Sequence, residues 1–288
     1  MSPSEESDEV MVRCEPEVTY CRPRRYPLIS EIIAEVERFA PRTLQDGYDN
    51  SGLQVGRADR ECTGVMIALD PTPDAVRQAV AAKCNLLLTH HPLLFHGLKR
   101  IDGSNPVERA VIEAIKADVT VYSAHTSLDK ATGGVSTVMA MLLGCTDIRP
   151  LVPEKDPSTG IGAVATLGSP LGAGEFLSRV KDVFRAPVLR HTRVAPGRDT
   201  VSRIAMCGGS GGSLIGEAVA AGADAYLTSD VRYHDFLDYA DRILIADIDH
   251  FVSENCTKSI FYALLKEKFP NFAPLIATAS ESNPINYM

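Results

Sequence analysis

The chain has no C-x-x-C pair, although it holds seven cysteines: Cys14, Cys21, Cys62, Cys84, Cys145, Cys207 and Cys256. An odd, scattered set excludes a thiolate zinc or redox motif and reads as reduced thiols in a cytosol. There is no uninterrupted apolar run near the roughly 20 residues that a membrane span needs, so no membrane partner is expected. No secretory leader is expected either: MSPSEESDEV is acidic where such a leader is basic and then apolar. Positive charge is not in surplus, with 29 Lys and Arg against 37 Asp and Glu and a net charge of -8. That balance speaks against a nucleic-acid partner, which calls for a basic face or stripe, and leaves room only for a small local basic patch. The expected location is cytoplasmic.

What is present is enough apolar material for one large domain or two ordinary ones, at 45% hydrophobic over 288 residues. Residues 1–27 mix an acidic run with Pro16, Pro23, Pro27 and the basic cluster Arg22, Arg24, Arg25, and show neither helical nor strand period, as in a flexible tail. Regular pattern starts at LISEIIAEVERFA, where Leu28, Ile29, Ile32, Ile33, Val36 and Phe39 share one helical face and Pro41 closes it. Short apolar runs (VMIALD, NLLLTHHP, VTVYSAHT) then alternate with helical stretches (PDAVRQAVAA, PVERAVIEAIKA, GVSTVMAMLL), the rhythm of an α/β sheet. Asn105 followed by Pro106 is a helix start. Gly and Pro punctuation over residues 144–174 marks the expected boundary, after which the rhythm resumes and includes a long helix from about Phe251 to Phe269. The reading is an α/β protein of two similar lobes, residues 28–150 and 151–288, with sheets flanked by helices and the site in the cleft between them.

Three segments carry chemistry. His90 and His91 follow the apolar run NLLL, and in an open α/β sheet the carboxyl ends of strands face the ligand crevice. Adjacent residues leaving a strand point to opposite sides, so the two imidazoles serve two ions more readily than one. His125 and Asp129 leave the next such run in SAHTSLD, and a carboxylate is the usual companion of imidazole in hydrolytic metal sites. His250 and Glu254, in DIDHFVSEN, are four apart, on one face if a helix starts there. Each has a plainer explanation: a turn with two surface histidines, an Asp129 that caps a helix near Gly133, a solvated pair along a helix. Together they sit at three strand ends of one sheet system, which favours a single site. Five such ligands are too many for a tetrahedral zinc and suit two ions roughly 3.5–4 Å apart, bridged by Glu254 and a water.

The chain resembles the Nif three-like family of dinuclear-metal proteins, many named GTP cyclohydrolase 1 type 2 homologs. The resemblance rests on YDNSGLQVG (from Tyr48), LDPTPDAV (from Leu69), LLLTHHPLLFHGLKRI (from Leu86), SAHTSLDKATGGVS (from Ser123), CGGSGGSLI (from Cys207), DAYLTSDVRYHDFLDYA (from Asp224) and DIDHFVSE (from Asp249). It implies that His90, His91, Asp129, His250 and Glu254 hold two divalent metal ions. Tyr48 stands where the family usually has Trp, and Ile248-Asp249 where it usually has a small residue after the last Asp; both touch the pocket wall. Longer relatives insert a domain between the halves, and Gly144 to Gly174 leaves no room for one.

The resemblance further implies a homo-oligomer, commonly a hexameric ring of three dimers with the sites facing an interior cavity. The expected activity is metal-dependent hydrolysis of a small-molecule substrate, nucleotide-like or otherwise phosphorylated, by cyclohydrolase or phosphoesterase chemistry. His125 is the expected general acid and base or orienting group. The competing expectation is a non-enzymatic metal-binding or protein-interaction factor, since the family is named for an interaction with a transcriptional co-activator. Zinc, iron, manganese, cobalt and nickel all suit three His and two carboxylates. CGGSGGSL resembles a phosphate-cradling loop but has no Lys after the glycines, and the favoured reading is a tight strand-to-helix turn that needs no ligand. Asp230, Arg232 and His234, with His96 and Lys99, are candidates to line the cleft; His191 reads as an ordinary strand residue.

Overall fold

The computed structural model describes residues 26–194, 197–272 and 276–288. Apart from Tyr26 and Pro27, the tail expected over 1–27 lies outside the described residues. After α1 (Ile29–Phe39) and β1 (Gly52–Val55), the first half runs β2 (Val65–Ala68), α2 (Pro73–Ala81), β3 (Leu86–Thr89), α3 (Pro106–Ala117) and β4 (Thr120–Ser123). The strands VMIA, LLLT and TVYS are buried throughout, the mark of parallel strands covered on both faces. Helix starts follow the sequence: Thr72 Oγ1 accepts the Ala75 N–H and Asn105 Oδ1 the Glu108 N–H, each ahead of a proline at the first helical position.

Two short helices follow, α4 (Thr126–Lys130) and α5 (Val135–Leu142), and the second half then comprises β5 (Cys145–Pro153), β6 (Gly160–Gly172), α6 (Ala173–Phe184), β7 (Arg190–His191), β8 (Thr200–Ser210), α7 (Ile215–Ala220), β9 (Ala225–Ser229), α8 (Tyr233–Tyr239), β10 (Leu244–Asp247), α9 (His250–Glu254), α10 (Thr257–Lys268) and β11 (Ile276–Thr278). The strands form two sheets, ordered β1-β4-β3-β2-β11 and β5-β6-β8-β9-β10-β7. Within them β4, β3, β2 and β11 run parallel, as do β8, β9 and β10. The period of two along each strand divides the cores. Val65 and Ile67 enter a shared core with α1, α5, α6 and α10 and with the inner face of the second sheet, while Met66 and Ala68 pack on α2 and α3. Ala205 and Cys207 likewise face α7 on the outer side of the second sheet.

Three features depart from the sequence reading. Residues 144–174, read as punctuation, mostly form the β5–β6 hairpin; Pro150 and Pro153 are accommodated because β5 is an edge strand. The helix expected from Phe251 to Phe269 is broken between α9 and α10, where the Thr257 hydroxyl donates to Glu254 O at 2.8 Å and competes with the helical ladder. Finally, β11 pairs with β2 in the first sheet, so a division at 150/151 assigns the chain's last strand to the wrong sheet. Among the described residues no helix is long and apolar enough to cross a membrane.

Candidate metal centre

The carboxyl ends of β2, β3 and β4 from one sheet and of β8, β9 and β10 from the other converge on one cluster. His90 and His91 come from the end of β3, His125 and Asp129 from β4 and α4, and His250 and Glu254 from α9. The structure therefore brings together all six residues singled out in the sequence. Asp129 lies inside α4, not at the cap of a later helix.

The histidines are held by their Nδ1 atoms. His91 Nδ1 lies 2.8 Å from Asp70 Oδ1, His125 Nδ1 2.8 Å from Asp49 Oδ1, and His250 Nδ1 2.7 Å from Asp230 Oδ2. His90 Nδ1 is 3.0 Å from Ala124 O. A carbonyl only accepts, so it fixes the proton of His90 on Nδ1 and leaves Nε2 with a lone pair. Carboxylate or carbonyl partners of this kind are what metal-ligating imidazoles use to fix tautomer and orientation.

The Nε2 atoms of His90, His91 and His250 face carboxylates. His90 Nε2 is 3.7 Å from both Asp129 Oδ1 and Glu254 Oε1. His91 Nε2 and His250 Nε2 are each 2.9 Å from Glu254 Oε2 and 3.3 Å from one another. Two triads thus share one carboxylate, His90–Asp129–Glu254 and His91–His250–Glu254, and the ligand atoms of each lie within 4.8 Å of one another. A third such set, His90–His91–His125, overlaps both.

Among the described residues, buried His90 Nε2 and Asp129 Oδ1 have no hydrogen-bond partner. A lone pair and a carboxylate oxygen withdrawn from water and aimed at one another are costly as acceptors without a donor, and a cation satisfies both, so the donor set fits a metal. Burial pushes the Asp129 carboxyl up to about 6. Around His91 and His250, burial alone would pull the imidazoles down, but Asp70 and Glu254 on one and Glu254 and Asp230 on the other outweigh it. They are pushed up to about 10 and about 9. Burial likewise works against ionised Glu254, yet the surrounding His90, His250 and His91 hold it well below the usual range.

Backbone shape supports this arrangement. Gly209, at φ +65°, passes so close to Glu254 that a Cβ there would sit 2.1 Å from Oε1. Asp230 (φ +54°) and Asp249 (φ +80°) flank His250 in space and sequence; such conformations cost a residue other than glycine about 1–3 kcal/mol and persist where surroundings over-determine them. In the CGGSGGSL turn, the N–H groups of Gly208, Gly209 and Gly211 donate to Ser136, Ser253 and Thr228 hydroxyls. Those donors serve the fold, which favours the tight-turn explanation over a phosphate cradle.

A cleft of about 480 Å³ opens beside the cluster, lined by His125, Asp129, His250 and Glu254 and, further out, Tyr48 and Ile161. Exposed Tyr48 stands edge-on to Phe95, 6.4 Å between centroids, and Phe95 in turn is 6.0 Å from His125. Of the other candidates, Arg232 is exposed and paired with Asp235, and His234, His96 and Lys99 are exposed outside the cluster. His191 is on edge strand β7, as its sequence context suggested. Two further carboxylates of the site, Asp49 and Asp70, lie in the segments YDNSGLQVG and LDPTPDAV but are not singled out there as site residues. Asp70 follows β2 and carries the same strand-end signal as Asp129; Asp49 lies in a loop before β1, and nothing in its spacing marks it.

Fold and cluster define an α/β protein with a group of side chains that could hold a metal ion between two sheets. The family model Duf34/NIF3 (NGG1p interacting factor 3) matches residues 27–284, and the chain belongs to that family. It is 31% identical over 264 residues to a GTP cyclohydrolase 1 type 2 homolog of Clostridium perfringens, covering 90% of this chain and 99% of the relative. It is 38% identical over 212 residues to one of Streptomyces coelicolor, covering 72% and 74%. In fold it is similar to a Bacillus cereus protein related to NIF3, with a TM-score of 0.84 at 23% identity over 92% of this chain and 100% of that one.

Proposed function

We propose that this chain is a metal-dependent hydrolase of a nucleotide-like or phosphorylated small molecule, with His90, His91, Asp129, His250 and Glu254 as ligands of two divalent ions. The observation that carries the reading is Glu254, whose two carboxylate oxygens face different triads. Zinc, iron, manganese, cobalt and nickel all match three imidazoles and two carboxylates. Bound there, the ions would supply Lewis acidity that acidifies water and offsets negative charge developing on a substrate. His125 is the group for proton transfer. Asp49 occupies its Nδ1, leaving Nε2 to take or give a proton at the cleft. Asp49 stays ionised beside it. Burial works against that charge, but donors from His125, Thr126 and Ser51 hold its carboxyl well below the ordinary range. Tyr48 and Phe95 offer aromatic surface for a planar ring at the mouth.

An open cleft beside the ligands favours catalysis over a storage or structural site, whose coordination protein groups would fill. The test is elemental analysis of the purified chain alongside hydrolysis of GTP and a generic phosphodiester, with and without chelator. About two ions per chain with chelator-sensitive turnover is expected. Two ions without turnover would sink the hydrolase and favour a metal-binding interaction factor; no metal after loading would sink both. His91→Ala with Glu254→Ala is expected to lose the metal yet keep its far-UV circular dichroism, because the cores lie behind the site. The ring of six that the family resemblance implies is part of the proposal. Light scattering giving a monomer would remove it.

A further inference from the structure

The stretch from Ala279 to Tyr287 touches both halves of the cluster. Ala279 N–H donates to Ile67 O at 2.7 Å, and Ser280 pairs its N–H and C=O with the Gln78 side chain at 2.7 and 2.8 Å. The Glu281 carboxylate accepts the Leu69 N–H at 2.9 Å and the Asp70 N–H at 3.0 Å, and Lys258 Nζ of α10 pairs with it at 3.0 Å. Asn283 Nδ2 then donates to Asp249 Oδ1 at 3.0 Å, and the Tyr287 hydroxyl donates to Asp249 Oδ2. One segment therefore grips the backbone of Asp70, which orients His91, and the side chain of Asp249, which precedes His250.

That grip answers a geometric need. His91 and His250 come from different sheets, and among the described residues no strand pairs one sheet with the other, yet their Nε2 atoms lie 3.3 Å apart. Asp249 also holds φ +80°, ψ 144°, a backbone that an L residue keeps only when neighbours impose it. Within its own half the Asp249 side chain is used only weakly, as acceptor of the Val252 N–H at 3.4 Å. The segment supplies a stronger donor to each of its oxygens.

We propose that residues 279–287 are a strap that sets the spacing of the His91 and His250 halves, with Glu281, Asn283 and Tyr287 as positioning residues for the His91–His250–Glu254 triad. The proposal rests on the metal-centre reading above. The His90–Asp129–Glu254 triad depends on the strap less, because His90 and Asp129 both come from the first sheet and His90 is fixed by the Ala124 carbonyl.

The experiment is cobalt(II) titration of the chelator-treated full-length chain, followed by calorimetry and visible absorption. It compares wild type, Asn283→Ala with Tyr287→Phe, and a chain ending at Ser280. In the strap variants one of two cobalt ions is expected to bind roughly 10–100-fold more weakly, the range typical for loss of an outer hydrogen-bond partner. The other ion should bind as in wild type, with far-UV circular dichroism unchanged. Adding Asp249→Gly to the shortened chain should restore part of the affinity, because glycine holds φ +80° without support, a rescue that a merely structural tail would not show. If the shortened chain fails to fold, the double point variant decides. Two ions binding equally well in wild type and strap variants overturn the strap and leave the metal centre standing. Equal weakening of both ions with a fall in thermal midpoint overturns it as well. A wild-type chain that takes no cobalt overturns the metal reading and the strap together.

Discussion

A methyl group on residue 209 would meet Glu254 Oε1 at 2.1 Å, at a φ of +65° that strains any side chain. Gly209→Ala is therefore expected to displace the shared carboxylate and weaken metal binding roughly 10–100-fold, read by metal titration with circular dichroism as the fold control. Protonation gives a second expectation. With His91 at about 10 and His250 at about 9, both imidazoles carry a proton near neutral pH in the metal-free chain. A metal needs them neutral, so loading expels about two protons and affinity rises with pH. Binding enthalpies measured in buffers of different ionisation heat should reveal that release; enthalpies independent of buffer would contradict it. The ligand candidates were legible because each follows an apolar run that had to be a strand, and strand ends of an α/β sheet open on its crevice. Asp49 was not, because it reaches His125 from a loop whose path only the fold defines.

At the level of elements, the start of α3 carries a pH-dependent device. Glu108 Oε2 accepts the N–H groups of Asp102 and Ser104 and the Ser104 hydroxyl, while Oε1 accepts from Asn105 Nδ2. Burial works to raise its carboxyl, but hydrogen bonding from the Asp102 side chain and N–H, with the Ser104 N–H and hydroxyl, holds it down at about 2, against 4.5 as the ordinary value. A depressed folded value means that the stabilisation is full above about pH 4.5 and is lost as pH falls toward 2. Urea midpoints of wild type and Glu108→Gln should therefore differ most above that ordinary value and converge as pH falls toward the depressed one; a constant gap would refute the device. Asn105 and Pro106 announced this helix in the sequence, as did the fully apolar four-residue strands. The β5–β6 hairpin was hidden because its prolines and glycines signal loops unless the strand is known to lie on an edge. The break between α9 and α10 was hidden because Asn255, Cys256 and Thr257 include no glycine or proline to signal it.

For the whole molecule, a cluster built from both sheets would couple any metal it binds to global stability. A divalent ion at a hundredfold its Kd should add about 2.7 kcal/mol to unfolding free energy, provided the unfolded chain does not bind it. The thermal midpoint should rise on loading and fall back with chelator, and a midpoint indifferent to metal would mean that the cluster does not bind across the halves. The two-sheet architecture was legible from the repeated strand and helix rhythm; the return of β11 to the first sheet was not, because a three-residue strand has too little pattern to name its partner. That return changes what the halves are as units of manufacture. As the chain leaves the ribosome, β1 to β4 emerge long before the strand that covers β2, which until then presents an open parallel edge. The first half cannot be cut out, swapped between relatives or expressed alone as a finished module, since its sheet is completed only by residues made after the strands of the second.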